Sequence, residues 1–166
     1  MAFSSKITAT GSYLPKNIVT NDDLAKKVDT SNEWIIERTG IKQRHIVGDN
    51  ELTSDISVEA AKNLFASCDK NPEDIELIIL ATTTPDLTFP ATATTIQAKL
   101  GAKNAFAFDI QAVCSGFVFA LNTAHNFIQS GQVKNALVIG ADTLSKIVDW
   151  KDRNTWNQCK WQYKFY

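Results

Sequence analysis

Residues 75–84 read IELIILATTT. After Glu76 five apolar residues follow one another, and three threonines end the run. A stretch this short, apolar without alternation and β-branched, is a strand buried on both faces. It is flanked by NPED (71–74), a turn with Pro72 at a first helical position. It is followed by ATATTIQAKLG (91–101), a helix that begins after Pro90 and stops at Gly101. Two more apolar runs come next, NAFAFDI (104–110) and NALVIGAD (135–142), each expected as a buried strand. Between them residues 114–130 place Phe117, Ala120, Leu121, Ala124, Phe127 and Ile128 on one helical face, closed by Gly131. Strand, helix, strand, helix, strand at these spacings implies parallel strands with right-handed crossovers, an α/β sandwich.

Upstream, SKITATGSYLP (5–15) reads as a short strand ending at Gly11 and Pro15. Thr20 is placed to cap a helix with Asp22 and Asp23 in its first turn. In TSNEWIIERTG (30–40) Ser31 caps, Trp34 to Arg38 are helical and Gly40 stops the helix. IKQRHIVGDNELTS (41–54) is polar and loop-like, with room for a hairpin. A longer helix starts near Thr53, with Ile56, Ala60, Leu64 and Cys68 spaced by four. No linker composition marks an internal boundary.

The 166 residues are 44% hydrophobic and 21% charged, enough for a packed core. A net charge of -1 gives no field directed at nucleic acid or an anionic membrane, so neither partner is expected. No apolar run approaches the roughly 20 residues of a membrane span, and the first residues lack a secretory core. Cys68, Cys114 and Cys159 form no CxxC pair, so no metal and no disulfide framework are expected and a reducing cytoplasm is the default location. The last eleven residues, WNQCKWQYKFY (156–166), depart from the composition upstream, since five are aromatic and two are lysine. They fit an edge strand or, less well, a surface that stacks on nucleic acid.

Within DIQAVCSGFVFAL (109–121), Cys114 stands where a buried strand hands over to a helix. A free cysteine is most often a small packed hydrophobe, which is the reading for Cys68. Cys114 differs by position. Ligands of open α/β sheets bind at the carboxyl ends of strands. The helix amides there favour an anionic sulfur and can hold an oxyanion. Gly116 leaves the approach open. A nucleophilic thiolate commonly needs a histidine. His125 shares the helix, but eleven residues rise about 16 Å, far beyond hydrogen-bond reach. His45 reads as a solvated loop residue. The sequence thus offers a nucleophile without an evident base.

Four strings in order, DTSNEWIIERTGIKQRHI (29–46), ATTTPDLTFPATA (81–93), DIQAVCSGF (109–117) and DWKDRNT (149–155), resemble 3-oxoacyl-[acyl-carrier-protein] synthase III, the condensing enzyme that initiates type II fatty acid synthesis. The resemblance covers roughly residues 3–155. It implies the thiolase-like α-β-α-β-α layered fold, of which residues 1–155 are the first half. It implies an acyltransferase that loads an acyl group, typically acetyl, from acyl-CoA onto Cys114. The acyl group then condenses with malonyl-acyl carrier protein, with loss of carbon dioxide, and CoA is a substrate rather than a cofactor. By the same resemblance Trp34 and Arg153 sandwich the adenine of CoA, where an indole face and a guanidinium plane suit a purine. Arg38 lies by the CoA phosphates and Thr30 makes a minor contact near the adenine. Phe89 crosses a homodimer interface to line the partner's acyl pocket. Read without the resemblance, Trp34 is a helix residue, Arg38 a solvated charge, Thr30 a turn or cap and Phe89 a loop anchor.

The resemblance stops within one or two residues of Thr155. Residues 156–166 are therefore read as an atypical tail from a shifted or shortened reading frame. The chain is expected to lack the histidine and asparagine of the condensation step, to expose an apolar face and to associate or dissolve poorly. Two other readings stand beside this one: a different thiolase-superfamily synthase, and a non-catalytic fragment that binds CoA or a partner.

Overall fold

The computed structural model describes residues 4–151. Arg153 and the tail 156–166 lie outside the described residues. The chain divides into two compact units. One runs from Leu52 to Asp142 and includes the N-terminal residues up to Tyr13; the other joins Leu14–Glu51 to the segment that begins at Thr143.

In the first unit the elements are α3 (Thr53–Ala66), β3 (Leu77–Ala81), α4 (Thr92–Leu100), β4 (Phe106–Ile110), α5 (Gly116–Gln129) and β5 (Ala136–Gly140). The sheet order is β4-β3-β5, and both pairings are parallel. IELIILATTT supplies the central strand, and every residue of β3 is buried. Leu77, Ile79 and Ala81 pack with Ala120, Ala124 and Val133, together with Phe108 and Ile110. Alternation turns Asp109 to the other face. There its two oxygens accept from the Thr92 and Ala93 amides at the start of α4, both at 2.7 Å. So α5 covers one face and α4, with α3 packed on it, the other. The expected order of elements is therefore present. Gly101 and Gly131 end their helices with left-handed φ of 72° and 76°.

Three expectations need correction. SKITATGSYLP is not a strand. Gly11 instead lies against α3, where a Cβ would come within 2.5 Å of the Leu64 nitrogen. Asn63 donates to the Ser12 carbonyl at 2.8 Å, so side chains, not a ladder, hold this segment. β4 is not fully buried: β3 is its one neighbour among the described residues, and Phe106 is exposed. Finally, Cys114 does not open the helix. A 3-10 turn, Val113–Ser115, precedes α5.

In the second unit β1 (Asn17–Thr20) pairs antiparallel with β2 (Gln43–Ile46). Two helices, α1 (Asn21–Ala25) and α2 (Asn32–Thr39), intervene, so the pair is not a hairpin. Leu24 and Ile35 form a small core with Val19, Val28, Trp34, Ile41, Val148 and Trp150. Both predicted caps are present. Ser31 accepts from the Trp34 amide, and Gly40 ends α2 at φ 71°. Thr20 and Asp23 form a reciprocal capping box.

The Thr20 hydroxyl, then Lys26 and the Thr20 amide, hold the Asp23 carboxyl below the ordinary carboxylate range. A carboxyl lowered in the folded state adds stability above its unfolded pKa, about 3.9. That stability is lost as pH falls through the folded value. Thr20→Ala should cost about 1 kcal/mol at neutral pH. In urea titrations its deficit against the parent should shrink as pH is lowered below about 4.

Candidate active site

The carboxyl edge of the parallel sheet is closed by one carboxylate. Asp142, just past β5, presents Oδ1 to the Thr82 hydroxyl at 3.1 Å, the Thr83 amide at 2.7 Å, the Thr83 hydroxyl at 3.0 Å and the Thr84 hydroxyl at 3.1 Å. An ionised carboxylate only accepts, so the three threonines converge on it. The 82–92 segment is then tied to both helices of that face. Thr53 donates to the Thr84 carbonyl at 2.6 Å, the Ser54 amide to Asp86 at 3.0 Å, and the Asp86 amide to the Thr92 hydroxyl at 2.9 Å. Phe89 rides on this braced segment, 81% exposed, with Leu87 also exposed. Sequence reading missed Asp142. Its signal was present, since TTT and AD end adjacent parallel strands, but that adjacency follows only from the β3–β5 register.

Cys114 lies beyond β4 in the 3-10 turn that runs into α5, and its thiol is free and exposed. The residue before it, Val113, has φ 47°. A β-branched residue in that left-handed region is strained, and such strain clusters where a side chain must be aimed. The turn is held from below by close packing. A Cβ on Gly116 would meet the Ala81 Cβ at 3.3 Å, and one on Gly140 would meet the Phe117 ring at 3.0 Å. Small residues therefore seat the start of α5 on the ends of β3 and β5. The amide end of a helix favours negative charge, and α5, fourteen residues long, begins at Gly116. Val118 and Phe119, in the first turn of α5, are exposed.

Neither histidine serves Cys114 as a hydrogen-bonded base. His125 Nδ1 lies 2.7 Å from the Ser5 hydroxyl. His45 is not the solvated loop residue expected: it sits in β2 with Nδ1 2.7 Å from the Pro15 carbonyl. A carbonyl only accepts, so Nδ1 carries the proton and Nε2 faces the Gln43 amide at 3.2 Å. Among the described residues no cluster of His, Cys, Asp or Glu could hold a metal ion. No helix there is long and apolar enough to cross a membrane.

The other expected site residues lie on α2 and just before it, in the second unit. Trp34, half-buried, packs against the small core while the Arg38 guanidinium lies over its ring, 4.5 Å from the centroid. This is the geometry of a cation over an indole face. The Arg38–Glu37 contact, at 3.4 Å, is exposed and weak. Thr30 does not cap α2, since Ser31 does. The Thr30 hydroxyl oxygen is buried with no hydrogen-bond partner among the described residues. The structure thus brings Trp34 and Arg38 together and leaves Thr30's hydroxyl unsatisfied at the head of their helix. Arg153 lies outside the described residues.

The sequence profile of the 3-Oxoacyl-[acyl-carrier-protein (ACP)] synthase III family matches residues 108–158. The chain is 62% identical over 151 residues to beta-ketoacyl-[acyl-carrier-protein] synthase III of Ehrlichia canis (strain Jake), covering 91% of this chain and 47% of that protein. It is 62% identical over 152 residues to the protein of the same name from Neisseria gonorrhoeae (strain ATCC 700825 / FA 1090), covering 91% and 48%. Among solved structures, 3-oxoacyl-[acyl-carrier-protein] synthase III from Aquifex aeolicus VF5 superposes with a TM-score of 0.84 at 54% identity, over 89% of this chain and 47% of that one. The synthase III from Thermus thermophilus superposes with a TM-score of 0.87 at 43% identity, over 91% and 47%. The chain thus spans about half the length of the curated relatives it matches, 47% and 48%.

Asp142→Ala would leave the hydroxyls of Thr82, Thr83 and Thr84 without their shared acceptor. It should cost about 2–3 kcal/mol in urea unfolding, on the scale of hydrogen bonds to a charged group. Limited proteolysis should cut first between residues 85 and 91, and Asp142→Asn, which keeps one carbonyl oxygen, should show an intermediate loss.

Proposed function

We propose, from this chain's likeness in sequence and in thiolase-like fold to about half of 3-oxoacyl-[acyl-carrier-protein] synthase III, that Cys114 is the acyl-accepting nucleophile of an acyltransferase in fatty acid biosynthesis. One observation carries the reading. A free, exposed thiol stands at the carboxyl edge of a parallel sheet, next to a strained Val113 and ahead of the amide end of α5. That is where attack on a carbonyl needs both access and oxyanion donors.

In the proposed half-reaction the Cys114 thiolate adds to the thioester carbonyl of acyl-CoA. The tetrahedral oxyanion is held on one side by the backbone amide of Cys114. It collapses with cleavage of the carbon–sulfur bond to CoA, leaving acyl-Cys114 and the CoA thiolate, which takes up a proton. No metal or cofactor enters, since CoA arrives as the substrate thioester. The condensation that follows consumes malonyl-acyl carrier protein. Loss of carbon dioxide generates a carbanion that attacks the acyl-Cys114 carbonyl, forms the new carbon–carbon bond and returns the thiolate. This chain's own residues serve the loading step.

For recognition, Trp34 offers an indole face to the adenine, and Arg153 is assigned to its other side. Arg38, exposed at the end of α2, turns its guanidinium from the ring to the phosphates. Thr30, just ahead of α2, is assigned a minor contact near the adenine. Phe89 is assigned to the acyl pocket of a second subunit in a cytoplasmic homodimer, a role its exposure suits.

Intact-mass spectrometry of the purified chain after incubation with acetyl-CoA tests the loading step. A single acetyl increment is expected, mapped to Cys114 by peptide fragmentation and abolished by Cys114→Ser. Absence of any adduct while CoA still binds would favour the reading of a non-catalytic binding chain.

A further inference from the structure

We infer that Asn21, fixed in orientation by Arg44, is a positioning residue for Trp34 and Arg38; the CoA-binding part of this inference rests on the function proposed above. Asn21 and Arg44 are buried, at 1% and 4% exposure. A buried amide beside a buried guanidinium adds nothing to a core unless every polar atom is satisfied. Here both polar atoms of the Asn21 side chain are partnered. Arg44 Nη1 donates to its Oδ1. Its Nδ2 donates to Asn32 Oδ1 at 3.0 Å and to the Ile41 carbonyl at 2.8 Å. Its backbone N–H donates to the Lys42 carbonyl at 3.3 Å.

The polarity is forced. A guanidinium has donors and no acceptor, so Arg44 can face only the carbonyl oxygen of the Asn21 amide. The amide hydrogens must then point the other way, toward α2. There they meet the first residue of the helix, Asn32, and the residue just past its glycine stop, Ile41. A single amide therefore grips the chain on both sides of α2, the eight-residue helix that carries Trp34 and Arg38. Trp34 is two residues from Asn32, and its indole supports the Arg38 guanidinium at 4.5 Å. Letting go of Asn32 frees the start of α2 to roll while the Leu24–Ile35 core stays packed. Such a roll moves the indole plane on which the proposed adenine contact depends.

The test uses the full chain labelled with 5-fluorotryptophan, the Trp34 resonance being assigned by Trp34→Phe. Asn32→Ala removes the acceptor from a half-buried site, and Asn32→Asp keeps an Oδ1 acceptor in place. In Asn32→Ala the Trp34 fluorine resonance should shift or broaden. Affinity for CoA, measured by calorimetry, should fall about tenfold, the scale of one lost hydrogen bond. Acetylation of Cys114 by an acetyl thioester that lacks the nucleotide should keep the parent rate. Asn32→Asp should restore both the resonance and the affinity. An unchanged Trp34 resonance in Asn32→Ala, or a failure of Asn32→Asp to restore it, would overturn the inference. So would equal losses with both acetyl donors, since that pattern marks general damage to the fold. Should the parent chain not bind CoA, the functional reading fails, and the fluorine resonances still decide whether Asn21 positions Trp34.

Discussion

Four donors meet one oxygen of Asp142, and the architecture of the first unit rests on that convergence. Parallel strands end with carbonyls and amides that have no further ladder to join, so their carboxyl edge must be satisfied by side chains. Here one carboxylate answers three consecutive threonines, and the segment they begin is fastened onward to the starts of α3 and α4. Asp109, on the strand at the other side of β3, performs the matching task by accepting both first amides of α4. Two acidic side chains thus turn an edge that would otherwise be loose loop into a rigid rim.

Much of this unit was legible in the sequence, because its strongest signals are local. The unbroken apolar run of β3, the left-handed glycines after α4 and α5, and the four-residue spacing along α5 each report a constraint that a few neighbouring residues impose on themselves. What failed was nonlocal. SKITATGSYLP has the composition of a strand, but Gly11 fits against the backbone of α3, and no sequence pattern tells a residue what it will lie on. NAFAFDI reads as apolar as β3 does, yet its exposure depends on how many neighbours the strand has, which a periodicity cannot count. His45 looked solvated because its neighbours in sequence are polar; its partner, the Pro15 carbonyl, is thirty residues away.

The candidate site divides in the same way. Cys114 was singled out by a local argument, a strand giving way to a helix, and the structure keeps the thiol free and exposed. The helix begins two residues later than expected because Val113–Ser115 form a tighter turn first. That difference has chemical meaning. A thiol inside the first turn of α5 would be aimed by the helix itself. One in a separate turn is aimed by Val113's left-handed backbone and by the glycine contacts that seat α5. The division of the chain into two units left no mark in composition, because the second unit joins residues 14–51 to a segment that begins more than ninety positions later.

The second unit solves its polar problem with the opposite sign. Asp142 accepts only, and so compels three threonines to turn toward it. Arg44 donates only, and so compels one asparagine to turn its hydrogens away. In both cases a group with a single hydrogen-bonding polarity removes an ambiguity that an amide, a hydroxyl or a loop would otherwise retain. Asp142 holds the segment that carries the exposed Phe89, and Arg44, through Asn21, holds the ends of the helix that carries Trp34 and Arg38. Apolar packing alone is indifferent to small rolls of a helix or slides of a loop, whereas a saturated polar node is not. At these two nodes the polar contacts specify orientation as well as stability.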